Sequence, residues 1–178
     1  MATVVFATSA RPALADSASW AYAGGGGSNF QGPRRTVDTA GLLQLEAGMG
    51  TSPNHLLVLG GVFKTLTHFG GGTDLVLCQR TTTSGFSMGD WGAALDLGGY
   101  LRAWGDDSAG LSAALVGSAP WGVNLNLIGT YGNHDAKMVA LTIGVDWARL
   151  TAHRVSSSTA APNYRLPLDD EYWPELQQ

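Results

Sequence analysis

The segment 137–154 alternates between two kinds of side chain with a period of two. The bulky, apolar set consists of Val139, Leu141, Ile143, Val145 and Trp147. The intervening positions are small and carry one carboxylate: Ala140, Thr142, Gly144, Asp146 and Ala148. A half-buried strand of a soluble protein also alternates, but its second face meets water and usually carries charged residues. A small, nearly uncharged second face is instead typical of a membrane-spanning β-barrel strand, with the apolar face toward lipid.

The composition of the chain favours the same fold class. Charged residues make up 13% of the sequence, about half of the roughly 25% usual for soluble domains. The hydrophobic content of 44% and the 25 glycines suit strands with one face in lipid and one face in a narrow interior. The net charge is −4 and the basic residues are scattered apart from Arg34 and Arg35, so we predict no nucleic-acid binding.

Three regions are predicted along the chain. Residues 1–15 are interpreted as a truncated export signal, because Ala13-Leu14-Ala15 has the small-x-small pattern of a cleavage site, although a basic segment is missing before it. Residues 16–154 are predicted to form the barrel. Residues 155–178 are predicted to be a polar C-terminal tail. The sequence contains no run of 18 apolar residues, so no transmembrane helix is predicted.

Eight candidate strands are separated by turn-forming residues. The glycine-, asparagine- and proline-rich stretch 24–33 is interpreted as a loop. The third strand is apolar on both faces in its first half, so its facing stays open. Strand follows strand with no helical period between them, which predicts an antiparallel up-and-down barrel of eight strands. The predicted strands are 16–25, 36–49, 55–68, 73–83, 89–104, 109–118, 121–132 and 137–154.

Aromatic residues are expected to mark the two edges of a lipid-facing band. Trp121 and Tyr131 lie on the same face of the seventh strand, ten residues apart. At about 3.3 Å per residue and a tilt near 40°, they are separated by roughly 25 Å along the membrane normal, as expected for two aromatic girdles. Trp91 and Trp147 are assigned to the same interfaces.

The chain resembles the small eight-stranded outer-membrane β-barrel proteins of double-membraned bacteria. The resemblance covers about 16–154 and depends on alternation, turn spacing and aromatic placement. The stretches most similar to envelope-barrel sequences are Gly89-Asp90-Trp91-Gly92, Ala119-Pro120-Trp121-Gly122 and Asp146-Trp147-Ala148-Arg149-Leu150-Thr151. The resemblance implies a location in the outer membrane and the lipid bilayer as a partner. The chain departs from that class in its C-terminal tail and in its short loops.

Several charged residues fall on the parity of the small residues. In a narrow barrel these side chains would meet inside, where each buried charge needs a partner. We therefore predict a polar network that plugs the interior, rather than a path for water or ions, since eight strands enclose space for little more than side chains. The predicted network consists of Glu46, Lys64, Arg80, Asp96, Arg102 and Asp146.

No catalytic, cofactor-binding or metal-binding residues are predicted. A triad could be drawn from His134, Asp135 and a nearby serine, but the sequence has no nucleophile elbow, and Asn133-His134-Asp135 reads as a polar turn. The spacing of the histidines does not match a zinc site. Gly70–Gly72 lacks the lysine and helix of a phosphate-binding loop. Cys78 is the single cysteine and cannot form an intramolecular disulfide.

These observations predict a non-catalytic envelope barrel whose loops and tail are available to a surface ligand or an envelope partner. Two alternatives stay open. A soluble, lipocalin-like barrel would bind an apolar ligand, with the apolar parity pointing inward. A lipid-modifying barrel enzyme would use a serine, a histidine and a carboxylate.

Overall fold

Eight antiparallel strands close into a barrel in the computed structural model, which describes residues 17–31, 37–53, 55–104 and 107–150. Each strand pairs with its successor, and β8 pairs with β1. The predicted all-β, eight-stranded, up-and-down barrel is therefore confirmed. The strands are β1 (Ser19–Gln31), β2 (Val37–Gly50), β3 (Leu57–His68), β4 (Gly72–Thr83), β5 (Gly92–Trp104), β6 (Ala109–Ser118), β7 (Val123–Gly132) and β8 (Lys137–Asp146).

The register of the strand pairs sets the tilt of the strands. Following paired residues once around the barrel from Trp20 leads back to β1 at Phe30, ten residues further on. A stagger of this size in eight strands corresponds to a tilt of roughly 40°. The resulting interior is narrow and is filled by side chains.

Side-chain facing follows one parity in all eight strands. Even-numbered residues point into the barrel and odd-numbered residues point outward, as the alternating burial along β2 and β7 illustrates. On β3, whose facing the sequence left open, Val58 is buried and Leu59 is exposed. Trp104 departs from the rule because the register shifts between Thr73 and Asp74, and its ring lies outside.

The predicted loop at 24–33 is wrong over 24–31, because β1 continues through its glycines to Gln31, and residues 32 and 33 lie outside the described residues. A Cβ atom on Gly26 would lie 1.9 Å from the Leu141 carbonyl oxygen, and one on Gly24 would lie 2.7 Å from the Ile143 carbonyl oxygen. These inward-facing glycines let β1 approach the backbone of β8 where the barrel closes. In β1 the glycine run therefore allows close packing of two strands and does not form a turn.

Gly26→Ala is expected to destabilise the barrel by about 1–3 kcal/mol, because the added methyl group overlaps the β8 backbone. Gly27→Ala is the matched control. The nearest atom to its added Cβ would be 4.0 Å away, so this variant is expected to be neutral or slightly stabilising. Urea unfolding followed by tryptophan fluorescence measures both. Equal stability of the two variants would contradict the close approach of β1 and β8.

Other boundaries also differ from prediction. A short helix, α1 (Ser84–Met88), lies between β4 and β5, where its five residues are too few to give a helical period. β8 ends at Asp146 and is followed by a helical turn at 147–150, whereas alternation predicted a strand to 154. The predicted export signal (1–15) and tail (155–178) lie outside the described residues.

The two ends of the barrel differ in their connections. We call the end that carries α1 and the 147–150 turn the helix end. The opposite end, with the turns at 69–71 and 133–135, is called the turn end. The described part of the chain contains no helix long and apolar enough to cross a membrane.

Candidate functional site

Four charged side chains from adjacent strands meet in the middle of the barrel. Arg80 donates two hydrogen bonds to Asp96, from Nε to Oδ1 and from Nη2 to Oδ2, each 2.7 Å long. Its Nη1 lies 2.5 Å from Glu46 Oε1. Lys64 Nζ donates to Asp96 Oδ2 and lies 3.5 Å from Glu46 Oε2. All four side chains are almost fully buried, and their formal charges balance. We call Glu46, Lys64, Arg80 and Asp96 the central cluster.

Neutral side chains extend the central cluster across the barrel. Gln44 donates to Glu46 and accepts a 2.7 Å hydrogen bond from the Thr142 hydroxyl. Thr142 in turn accepts from Tyr22 and from Asn126, both at 3.3 Å. The chain of contacts joins β1, β7 and β8 to β2, β3, β4 and β5. The middle of the interior is thus occupied by a connected polar network.

Two of the predicted network residues have partners outside the central cluster. Arg102 pairs with Asp74, with Nε 2.6 Å from Oδ1 and Nη2 3.0 Å from Oδ2. Asp146 is fully buried, and its Oδ1 accepts from the backbone amides of Ala21 at 3.1 Å and Arg149 at 3.3 Å. The six predicted residues are therefore all buried, but they belong to separate groups rather than to one.

A serine, a histidine and an aspartate are linked at the turn end of the interior. Ser28 Oγ lies 2.9 Å from His68 Nδ1, and His68 Nε2 lies 3.1 Å from Asp74 Oδ2. Such a chain of contacts can orient a histidine and pass a proton between its members. However, Ser28 is only 2% exposed, so no substrate reaches its hydroxyl in this conformation. The arrangement stabilises the turn end of the interior and holds Asp74 against Arg102.

The histidine and aspartate from which a triad could be drawn are elsewhere. His134 and Asp135 are exposed in the turn between β7 and β8, and both have positive φ, 55° and 61°. Their position agrees with a polar turn.

Helix α1 closes the helix end of the interior. It begins at Thr83, whose side chain accepts from the Phe86 amide, and it directs the fully buried Phe86 ring into the barrel. The Phe86 ring lies between two guanidinium groups, with Arg80 5.4 Å and Arg149 4.7 Å from its centroid. Arg149 also donates a 2.7 Å hydrogen bond to Asn124 Oδ1. The plug therefore consists of a ring from α1 and an arginine that follows β8.

The exterior of the strands is apolar. Charged residues in the described strands are sorted by parity: Lys137 alone is odd-numbered, whereas the others are even-numbered. Uncharged polar side chains also lie on this outward-facing parity, Gln79 and Thr81 on β4 and Thr65 on β3. The exposed aliphatic side chains in the middle of the strands include Leu43, Leu45, Leu59, Leu77, Leu95, Leu97, Leu115, Leu125, Leu127, Leu141 and Ile143.

Exposed aromatic rings lie at both ends of the barrel. Of the four predicted interface residues, Trp91, Trp121 and Trp147 are at the helix end and Tyr131 is at the turn end, each more than half exposed. Trp104 and Phe69 add exposed rings at the turn end, and the sequence reasoning missed them. Trp121 has φ of 65°, a conformation that costs a bulky residue of order 1–3 kcal/mol.

Some interior residues were missed by the sequence reasoning for identifiable reasons. Asp74 shares the parity of Arg80 on β4, so parity was a signal that could have found it. Ser28 was hidden by the wrong loop assignment. Phe86 and Arg149 lie outside the strands, where alternation carries no information. Among the described residues, no group of three or more histidine, cysteine, aspartate or glutamate side chains is arranged to hold a metal ion.

Comparison of the chain with models of protein families, with curated proteins and with solved structures found no match.

Proposed function

We propose that this chain is a transmembrane β-barrel of the outer membrane of a double-membraned bacterium, with a structural or interaction role. The observation that carries the proposal is the reversed polarity of the barrel. Its outer surface is apolar between the strand ends, and its charged strand residues are buried inside except Asp38 and Lys137, which lie close to strand ends. This arrangement minimises the free energy of a protein surrounded by hydrocarbon.

The distribution of charge favours hydrocarbon over water as the surroundings of the barrel. A soluble barrel needs charged residues on its exterior for solubility and rarely leaves large apolar patches exposed. The lipocalin-like alternative also requires an apolar interior that receives a ligand. The described interior instead contains ion pairs such as Arg80 with Asp96 and Arg102 with Asp74.

The exposed aromatic rings at the two ends support a membrane-spanning orientation. Tryptophan and tyrosine are favoured at the boundary between hydrocarbon and water, because their rings are apolar and their N–H or O–H groups are polar. The backbone conformation of Trp121 is costly for a bulky residue, and its ring is 76% exposed rather than packed in the interior. Favourable contact of the exposed Trp121 ring with a lipid interface would offset that cost.

A structural or interaction role follows from the filled interior. The central cluster occupies the middle of the barrel and Phe86 occupies the helix end, and all five side chains are almost fully buried. The proposed contacts with a surface ligand or an envelope partner would use the loops and the C-terminal tail.

The direct experiment is fractionation of the source cells followed by a denaturing gel with and without heating. The folded barrel is expected in the outer-membrane fraction and should migrate differently before and after boiling, since a closed barrel resists detergent at room temperature. Recovery of the folded protein from the soluble fraction without detergent would overturn the proposal and favour the lipocalin-like alternative.

Leu127→Arg is expected to destabilise the barrel in phospholipid vesicles by about 2–4 kcal/mol, because it places a cation near the middle of the apolar band. Leu127 lies six residues from Trp121 and four from Tyr131, and it is 50% exposed. Met49→Arg, close to the helix end of β2, is the control and should cost only about 0–1 kcal/mol. Equal tolerance of both arginines in a vesicle-folding equilibrium would contradict the lipid-facing assignment.

A further inference from the structure

An apolar groove crosses the outer surface of β5, β6, β7 and β8. Its volume is about 750 Å³. The register places Leu97, Ala113, Gly129 and Val139 side by side on these four strands. The two small central residues form the floor of the groove, and Leu97 and Val139 form its walls. We call this feature the outer groove.

The outer groove forms because larger side chains on neighbouring positions surround the small floor residues Ala113 and Gly129. Leu111 and Tyr131 are paired across β6 and β7 on the turn-end side of the floor, and Leu115 and Leu127 are paired on the other side. A Cβ atom added to Gly129 would meet no atom within 4 Å, so the space above the floor is open. The lining of the groove is mostly apolar, which suits a hydrocarbon chain better than a polar ligand.

A single cation lies at the turn end of the outer groove. Lys137 lines the groove, is exposed, and places its Nζ 5.5 Å from the centroid of the Tyr131 ring. In the described strands it is the one charged residue on the outward-facing parity. Tyr131 belongs to the proposed membrane interface, so the ammonium group lies where lipid phosphates would lie.

We propose that the outer groove binds an anionic phospholipid, with an acyl chain over Ala113 and Gly129 and the phosphate paired with Lys137. The proposal depends on the membrane location proposed above. The apolar floor supplies contact with the chain, and the charge complementarity of Lys137 selects an anionic headgroup. Asp135 precedes Lys137 by two residues in the exposed turn, and Asp135→Asn is expected to tighten the binding.

The test is native mass spectrometry of the folded, full-length chain in detergent with added phosphatidylglycerol or phosphatidylcholine. The wild type is expected to retain phosphatidylglycerol about fivefold more tightly than phosphatidylcholine. Lys137→Gln should remove this preference, whereas Lys137→Arg should keep it. Gly129→Leu should weaken both lipids about tenfold, because its side chain occupies the acyl site. Gly117→Leu, which also points outward into open space but does not line the groove, is the matched control.

The outcomes separate this inference from the membrane proposal. If the protein folds into vesicles but Lys137→Gln and Gly129→Leu bind both lipids like the wild type, the lipid site is overturned and the membrane barrel stands. If the wild type folds only in water and does not enter vesicles, the membrane barrel and the lipid site are both overturned.

Discussion

Asp96→Ala is expected to lower the free energy of unfolding by about 3–5 kcal/mol, because it leaves two buried cations with one carboxylate. Asp96 is fully buried and accepts hydrogen bonds from Lys64 and, twice, from Arg80. Its removal leaves Glu46 as the only acid of the central cluster. Urea unfolding of the refolded protein in vesicles, followed by tryptophan fluorescence and by gel mobility, measures the loss.

A charge-balanced double variant tests whether the loss comes from unpaired charge. Lys64→Met combined with Asp96→Asn removes one cation and one anion and keeps the pair of Arg80 with Glu46. An amide at position 96 can still accept a hydrogen bond from Arg80. We expect the double variant to be more stable than Asp96→Ala, since a buried ion pair is costly to break but often replaceable as a unit. An Asp96→Ala protein as stable as the wild type would show that the cluster contributes no pairing energy.

Phe86→Ala is expected to destabilise the barrel by about 3–5 kcal/mol, because it leaves a cavity between Arg80 and Arg149. Phe86→Leu retains most of the volume and should cost less than about 1.5 kcal/mol. Phe69→Ala is the control for removal of a phenylalanine at the barrel surface, because the Phe69 ring is 66% exposed, and it should cost clearly less than Phe86→Ala. The same unfolding measurement compares the three variants.

The ion pairs of the central cluster have a consequence for the register of the strands. The ion pairs of Glu46 with Lys64 and of Arg80 with Asp96 join residues that are direct partners in the strand register. A slip of one strand by two residues would keep the parity but separate these partners. We infer that the central cluster favours the observed register over neighbouring registers, in addition to filling space.

Particular segments illustrate where sequence reasoning succeeded and failed. The strand 109–118 was predicted with its observed bounds, since alternation and flanking turn residues agree there. The glycines of β1 were assigned to a loop because glycine is a local turn signal, and only the distance to the β8 backbone explains their place in a strand. Helix α1 gave no periodic signal, and the inward position of Phe86 depends on contacts with residues 80 and 149, which are distant in sequence or on other elements.

The sequence alone was enough to predict eight strands and, outside the third strand, which side chains face inward, because facing alternates with every residue of a strand and needs no knowledge of the partner. It also determined that the inward charges would need one another. Only the tertiary structure decided that Arg102 meets Asp74, that Asp96 meets Arg80 and Lys64, and that β1 closes on β8 through glycines. These contacts depend on the ten-residue stagger of the closed barrel, which results from all eight pairings together rather than from any one segment.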